Sequence, residues 1–210
     1  FRSKDNGSDY RLRYEKNDNL KITQAVAAYL ADKEDIQVIM TRSDDTFLSL
    51  EERTTFANQN NADYFVSLHR NTGEGNGVET WIRSDADDKA QALAKNIMDN
   101  LDAAGISRNR GVKKGTQKSE SKDYYVNLHT NMPACIVELG FMNSPTDNQL
   151  FDANVENYAK AIGDAVLKTY EAYGKDGADA TESVEDVPGT EEQISTETGA
   201  GTTDRKSTRL

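Results

Sequence analysis

The sequence predicts an α/β fold of the three-layer αβα type, with helices on both faces of a mostly parallel, twisted sheet of about five to six strands. Two observations carry this. Short apolar or β-branched runs alternate with longer segments whose apolar residues recur at helical spacing. Two of the short runs also end on chemically capable residues, His69 and Glu138, which puts those residues at strand ends. In open α/β sheets the crevice beyond the carboxyl ends of the strands is where ligands and metals sit.

Each element has its own signal. From Asp18 to Leu30, Leu20, Ile22, Ala25, Val26, Tyr29 and Leu30 make an amphipathic helix, with Asp18 or Asn19 placed to cap it. Ile36 to Met40 reads as a β-branched strand. Ser49-Leu50-Glu51-Glu52 is a capping box that opens a second helix to about Asn60, and Asp63 to His69 is the next strand. After the turn Gly73 to Gly77, Val78 to Ile82 alternates as a strand, and a helix from about Asp87 to Ala104 stops at Gly105. Tyr124 to Leu128 and Ala134 to Leu139 read as two further strands, separated by a turn at Asn131-Met132-Pro133. Tyr158, Ala161, Ile162, Ala165, Val166 and Tyr170 share one face of a last helix, Val155 to Tyr173.

Beyond Gly174 the composition turns to Asp, Glu, Ser, Thr, Gly and Ala without aromatics, so 1–174 is expected to fold and 175–210 to form a disordered acidic linker or tail. The closing stretch 204–210 breaks the acidic character and resembles a translated sequencing adapter, an artefact.

Composition limits the function. A chain of 210 residues that is 36% hydrophobic and 29% charged can bury one sizeable core. Its net charge of -11 argues against a nucleic-acid partner, because phosphate binding needs a basic field. No apolar run is long enough to predict a transmembrane segment. Cys135 sits in the apolar run Ala134 to Val137 and is expected to pack as a small hydrophobe; with one cysteine there is no internal disulfide. A monomer is expected.

Three residues could do chemistry together: Glu15 before the first helix, His69 and Glu138. Glu15 and His69 are of the kind that bind zinc, whose catalytic sites take three protein ligands and leave a position for water. Glu138, between Val137 and Leu139, is a carboxylate in apolar company, which raises its pKa and suits a general base. The structural alternative is an ion pair with Arg42 or Arg110. His129 is read first as a loop histidine bonded to its own turn, and otherwise as a substrate contact or substitute ligand. Arg42 and Arg110 are read as loop anchors, and Trp81, Tyr124 and Tyr125 as core or groove-wall aromatics.

Ordered motifs then point to a family. Glu15-Lys16-Asn17-Asp18-Asn19-Leu20, Met40-Thr41-Arg42-Ser43, Ser49-Leu50-Glu51-Glu52-Arg53, Ser67-Leu68-His69-Arg70-Asn71, Gly77-Val78-Glu79-Thr80, Asn109-Arg110-Gly111-Val112-Lys113 and Val137-Glu138-Leu139-Gly140-Phe141 occur in sequence. From Glu15 to Tyr173 the chain resembles the type 3 catalytic domain of zinc-dependent N-acetylmuramoyl-L-alanine amidases. The resemblance implies Zn2+ as cofactor, Glu15 and His69 as metal ligands, Glu138 as catalytic carboxylate, and peptidoglycan as partner. It implies hydrolysis of the amide between N-acetylmuramic acid and L-alanine of the stem peptide, outside the cell or in the wall of a bacterium. Glu79 matches the family's pattern and is expected to be an orienting group near the metal, or else a partner for a lysine or arginine.

The family's first ligand is a histidine in a Gly-His-Gly-Gly turn after the first strand, and Phe1 to Tyr14 contains no match. The first strand and that ligand are therefore expected upstream of Phe1, with His129 as the substitute, and the chain as it stands is expected to be inactive or impaired. The competing class is a non-catalytic wall-binding module that has lost its metal site.

Overall fold

A computed structural model describes residues 13–34 and 36–174. The stretch 175–210, read as an acidic linker or tail with an adapter-like end, lies outside the described residues, as does the first strand expected upstream of Phe1. Among the described residues nine elements follow in order: α1 (Glu15–Ala31), α2 (Leu50–Gln59), β1 (Phe65–Asn71), β2 (Val78–Ile82), α3 (Asp88–Ala103), β3 (Asn109–Lys114), α4 (Tyr125–His129), β4 (Ala134–Phe141) and α5 (Pro145–Tyr173). The strands form one sheet in the order β1-β4-β2-β3. β1 runs parallel to β4 and β2 parallel to β3, while β2 and β4 meet antiparallel.

The two faces of this sheet differ. On one, Leu68, Cys135, Val137, Val78 and Ile82 pack with Ile22, Val26 and Leu30 of α1, Leu93, Ile97 and Leu101 of α3, and Phe151, Ile162 and Val166 of α5. This is the main core, and each such side chain contributes roughly 1.5–3 kcal/mol on burial. On the other face Phe65, Trp81, Ala134 and Ile136 pack under Ala57 of α2 and Val126 of α4. That second cover is small. It reaches the amino-terminal ends of β1 and β4, and His69 and Glu138 lie beyond it; they are not the strand ends, as the sequence suggested, because the ladders carry β1 on to Asn71 and β4 on to Phe141.

The αβα architecture holds, with four strands among the described residues instead of five to six. Residues 36–40 form no strand: Ile36 makes a single bridge, and Ile36 and Val38 pack on the core by their side chains alone. A β-branched run becomes a strand only with a ladder partner, and here none is described. Tyr124 to Leu128 is not a strand either. Thr130 Oγ1 donates to the Val126 carbonyl, Asn127 Nδ2 donates to the Trp81 carbonyl, and Tyr125 stacks on His129 at 4.1 Å, so the segment closes into the short helix α4. All but the Asn127 bond are four-residue contacts, the helical interval.

Helix boundaries also move. α1 starts at Glu15, and Asp18 is no cap: it is buried in the first turn between Arg13 and Arg70. Ser49 and Glu52 form the capping box as expected, with Ser49 Oγ accepting from Glu52 N–H and Glu52 accepting from Ser49 N–H. α3 ends before Gly105, as read. α5 begins ten residues before Val155, with Ser144 as its cap and a kink at Asn154.

Candidate active site

Register brings the predicted residues together. β1 and β4 lie side by side with His69 opposite Glu138, and β4 and β2 with Glu138 opposite Glu79, so all three side chains share one face. Glu15 arrives from a distant part of the chain. As the first residue of α1 it sends Oε1 to 2.8 Å from His69 Nδ1 and accepts the Arg70 backbone N–H at 3.4 Å. Asn19, one turn on, places Nδ2 3.3 Å from Glu15 Oε1 and 3.4 Å from His69 Nδ1. On the far side of the ring, His69 Nε2 lies 3.0 Å from Ser67 Oγ. Ser67 thus fixes the imidazole plane while Nδ1 faces the carboxylate.

The helix that presents Glu15 is held by a buried charge network. The Arg70 side chain has no solvent exposure; it donates to Asp18 Oδ2 at 2.8 Å and Asn148 Oδ1 at 2.7 Å, and its guanidinium stacks 4.4 Å from the Phe151 ring centre. Asp18 also receives Arg13, which makes a two-pronged contact with Asp152. α1, β1 and α5 are therefore joined beside His69.

Gly140 is a second fixed point. At φ 84°, a Cβ there would come within 2.8 Å of the Asp147 side chain, whose Oδ2 accepts the N–H groups of Phe141 and Gly77. That carboxylate ties the end of β4 to the loop before β2.

Two carboxylates on this face have opposite surroundings. Glu79 is 2% exposed and fully partnered: Asn71 Nδ2 at 3.0 Å, Trp81 Nε1 at 3.1 Å and Arg110 Nε at 2.7 Å all donate to it. The alternative reading of Glu79, as partner of a lysine or arginine, has its partner in Arg110, which also answers for Arg110 as an anchor. Glu138 has no such partner. Its Oε2 is buried and receives no hydrogen bond from any described group, while Arg42 is spent on the Lys16 and Asp44 carbonyls. Burial pushes its carboxyl up to about 7, with the Glu15 and Glu79 charges adding to the rise and His69 and Arg70 opposing it. For Glu15, burial also raises the carboxyl, but the hydrogen bond and charge of His69, with Asn19 and the Arg70 N–H, outweigh it and the net shift is downward.

His129 stands apart. It is exposed on α4 against Tyr125, its carbonyl accepts from Asn58 Nδ2, and no described bond links it to Glu15, His69 or Glu138. Asn19 was read only as a candidate cap of the first helix, and Ser67, Asn71 and Gln117 were given no role, although Gln117 Nε2 reaches Asn71 Oδ1 at 3.4 Å over the same face. Ser67 and Asn71 could have been found from the strand's alternation, because they share the face of His69.

The family described as N-acetylmuramoyl-L-alanine amidase matches residues 3–168. The chain belongs to the N-acetylmuramoyl-L-alanine amidase family. It is 34% identical over 172 residues to the uncharacterized protein YqiI of Bacillus subtilis, covering 80% of this chain and 79% of that one. It is 29% identical over 163 residues to the probable cell wall amidase LytH of Staphylococcus epidermidis, covering 76% of this chain but 50% of LytH. The chain thus spans half of that relative. Among solved structures, the N-acetylmuramoyl-L-alanine amidase of Clostridium difficile 630 superposes with a TM-score of 0.72 at 32% identity, over 82% of this chain and 92% of that one. The catalytic domain of CwlV, an amidase of Bacillus (Paenibacillus) polymyxa, gives 0.68 at 29% identity over 81% and 93%. The fold class, the family and its amidase function agree with what the motifs implied.

In kind, the donors fit a zinc ion. An imidazole nitrogen and a carboxylate oxygen converge with an unpartnered carboxylate beside them. Among the described residues no group of three or more His, Cys, Asp or Glu side chains is placed to hold a metal ion.

Proposed function

We propose that residues 1–174 are the catalytic domain of a bacterial cell-wall hydrolase, with the acidic stretch 175–210 as linker or tail. The proposed reaction is cleavage of the amide between the lactyl group of N-acetylmuramic acid and L-alanine of the peptidoglycan stem peptide. The site of action is the cell wall, in keeping with the cell-wall amidases among the relatives. No helix among the described residues is long and apolar enough to cross a membrane.

Glu15 Oε1 and His69 Nδ1 are assigned as two zinc ligands. A bound zinc supplies water activated near neutral pH and polarisation of the scissile carbonyl. The chain's own work is positional and protonic. Ser67 orients the His69 ring from behind, as partners of metal-bound histidines do, and Asn19 braces both ligands. Arg70 and Asp18 hold the first turn of α1 against β1, which sets the separation of Glu15 and His69. Glu138 takes a proton from the attacking water at its free oxygen and returns it to the departing amine of L-alanine, while the water oxygen stays on the lactyl carbonyl carbon as part of the new carboxylate. Glu79, saturated by three donors, is assigned a positioning role: it keeps Asn71, Trp81 and Arg110 in place around Glu138.

The observation that carries this reading is the buried, unpartnered Oε2 of Glu138 on the face where Glu15 and His69 meet. An uncompensated buried acceptor costs about 1–3 kcal/mol, and a reactive group is a reason to keep one. The test is zinc stoichiometry of the purified chain together with release of stem peptides from purified peptidoglycan. Zinc-dependent release supports the reading; binding to the wall without release supports the alternative of a non-catalytic wall-binding module. What favours that alternative is that the described residues hold no group of three or more His, Cys, Asp or Glu side chains placed to bind a metal ion. His129 is assigned no ligand role.

A further inference from the structure

The chain is strongly acidic, yet one stretch reverses the sign. Between residues 108 and 122 it carries Arg108, Arg110, Lys113, Lys114, Lys118 and Lys122 against a single carboxylate, Glu120, in a protein of net charge -11. Arg110 is committed to Glu79. Arg108, Lys113, Lys114, Lys118 and Lys122 are exposed, and no described ion pair neutralises any of them. Exposed lysines in an acidic molecule ordinarily have carboxylates near; these are left facing water together.

Their placement ties them to the site. β3 is an edge strand, and Lys113 stands in register with Trp81, which stands in register with Ile136. Lys113 therefore projects on the same face as Glu79, Glu138 and His69. With neighbouring strands about 4.8 Å apart and a two-residue step of about 6.6 Å, its Cα lies roughly 12 Å from that of Glu138. That span is about three to four extended residues. Lys118 follows Gln117 in the turn closed by Thr116 and Ser119, and Gln117 reaches Asn71, itself bonded to Glu79. The turn is further pinned by the Gln117 N–H donating to the Tyr124 hydroxyl, and Tyr124 packs edge-on against Trp81. Lys113 thus stands on the edge strand at the level of Trp81 and Lys118 in the turn whose Gln117 reaches Asn71, so both border the sheet face that holds Glu138. Lys114, one residue on and opposite Ile82, belongs to the other side of the strand.

We propose that Lys113 and Lys118 form a cationic rim that binds carboxylates of an anionic stem peptide, a few residues beyond the bond aligned with Glu138. This rests on the amidase reading above and names the substrate feature that the site selects. Rim charges of this kind act through attraction screened by salt, so the rim favours charged stems over amidated ones and does so most at low ionic strength.

The test uses the zinc-loaded full chain carrying Glu138→Gln, so that the ligand persists, and a muramoyl tripeptide with its carboxylates either free or amidated. Affinity is measured at 50 and 200 mM salt. Relative to the Glu138→Gln parent, adding Lys113→Glu with Lys118→Glu should weaken binding of the free form about tenfold at low salt and leave the amidated form unchanged. Lys114→Glu, the same charge reversal on the other side of the strand, should cost less than about twofold. Because these lysines are exposed, unchanged thermal unfolding checks that the fold is intact. Equal affinity of the parent for both peptides overturns the proposal, as does a Lys114→Glu loss equal to that of the rim variant. A poly(glycerol phosphate) chain that requires both lysines while the peptide does not also overturns it, in favour of a wall phosphate polymer. Failure of the amidase reading is seen separately, as absence of zinc uptake and of peptide release from peptidoglycan by the unmutated chain.

Discussion

Replacing Arg70 by Met removes a guanidinium with no solvent exposure and keeps most of its volume. The lost contacts are the 2.8 Å bond to Asp18, the 2.7 Å bond to Asn148, the 3.4 Å bond from Nε to the Gly140 carbonyl and the stack on Phe151. Breaking one partner of a buried charge pair costs about 3–5 kcal/mol, because the other charge stays buried. Asp18 keeps Arg13, so the lower end applies, about 3 kcal/mol. For a fold of this size that corresponds to a melting temperature lower by roughly 6–12 °C. Adding Asp18→Leu removes a carboxylate that has lost one of its two guanidinium partners, while Arg13 keeps its two-pronged contact with Asp152. The double variant should therefore recover about 1 kcal/mol or more of the single variant's loss. Urea unfolding of the wild type, the single and the double variant measures both quantities. A cost below about 1 kcal/mol for Arg70→Met, or a double variant no more stable than the single, would refute the argument that an uncompensated charge sets the penalty.

Glu138→Gln should retain zinc by metal analysis and lose about 10²- to 10⁴-fold in kcat for peptide release; retained activity would remove Glu138 as the acid and base. In the metal-free protein the same carboxyl, raised by burial to about 7, favours folding below the ordinary carboxylate range near 4.5, and this contribution is lost as pH rises through about 7. Unfolding free energy across that window should fall in the wild type and stay flatter in Glu138→Gln. Ser67→Ala should weaken zinc binding about tenfold by competition with a chelating dye, with little change in unfolding; unaltered affinity would mean that Ser67 does not orient His69. Ser49→Ala, which breaks the capping box of α2 far from the site, should cost about 1 kcal/mol in stability and leave zinc affinity unchanged.

The legible parts of the fold were those whose local signal and tertiary role coincide. The Ser49 capping box, the Gly105 stop and the β1 run up to His69 read directly, because cap chemistry, glycine freedom and apolar alternation act over a few residues. Ile36 to Met40 has strand composition and no described ladder partner, and composition does not report partners. Tyr124 to Leu128 looked extended because its aromatics are strand formers, while the deciding contacts were the bonds of Thr130 and Asn127. β3 was missed: Gly111 interrupts it, and it is an edge strand with little apolar surface to declare itself. In the site, Glu15, His69 and Glu138 were found by kind and position. The supporting residues Asn19, Ser67 and Arg70 were not, since their roles exist only once α1, β1 and α5 are packed. Arg70 illustrates the limit well: in sequence it is one more cation, and in the fold it is among the most buried side chains.

The adjacency of Glu15, His69 and Glu138 also has a kinetic meaning. They come from the first helix, the first strand and the last strand of the described chain, so no short fragment contains the site, and the pairings of Glu15 with His69 and of His69 with Glu138 both close long loops. Such contacts form after the local ones during folding. A chain emerging from synthesis has neither the base nor the arginine clamp's α5 contacts until nearly all of the domain has been made. Metal uptake should then follow completion of the sheet, and a hydrolase built this way stays idle until its own assembly is finished.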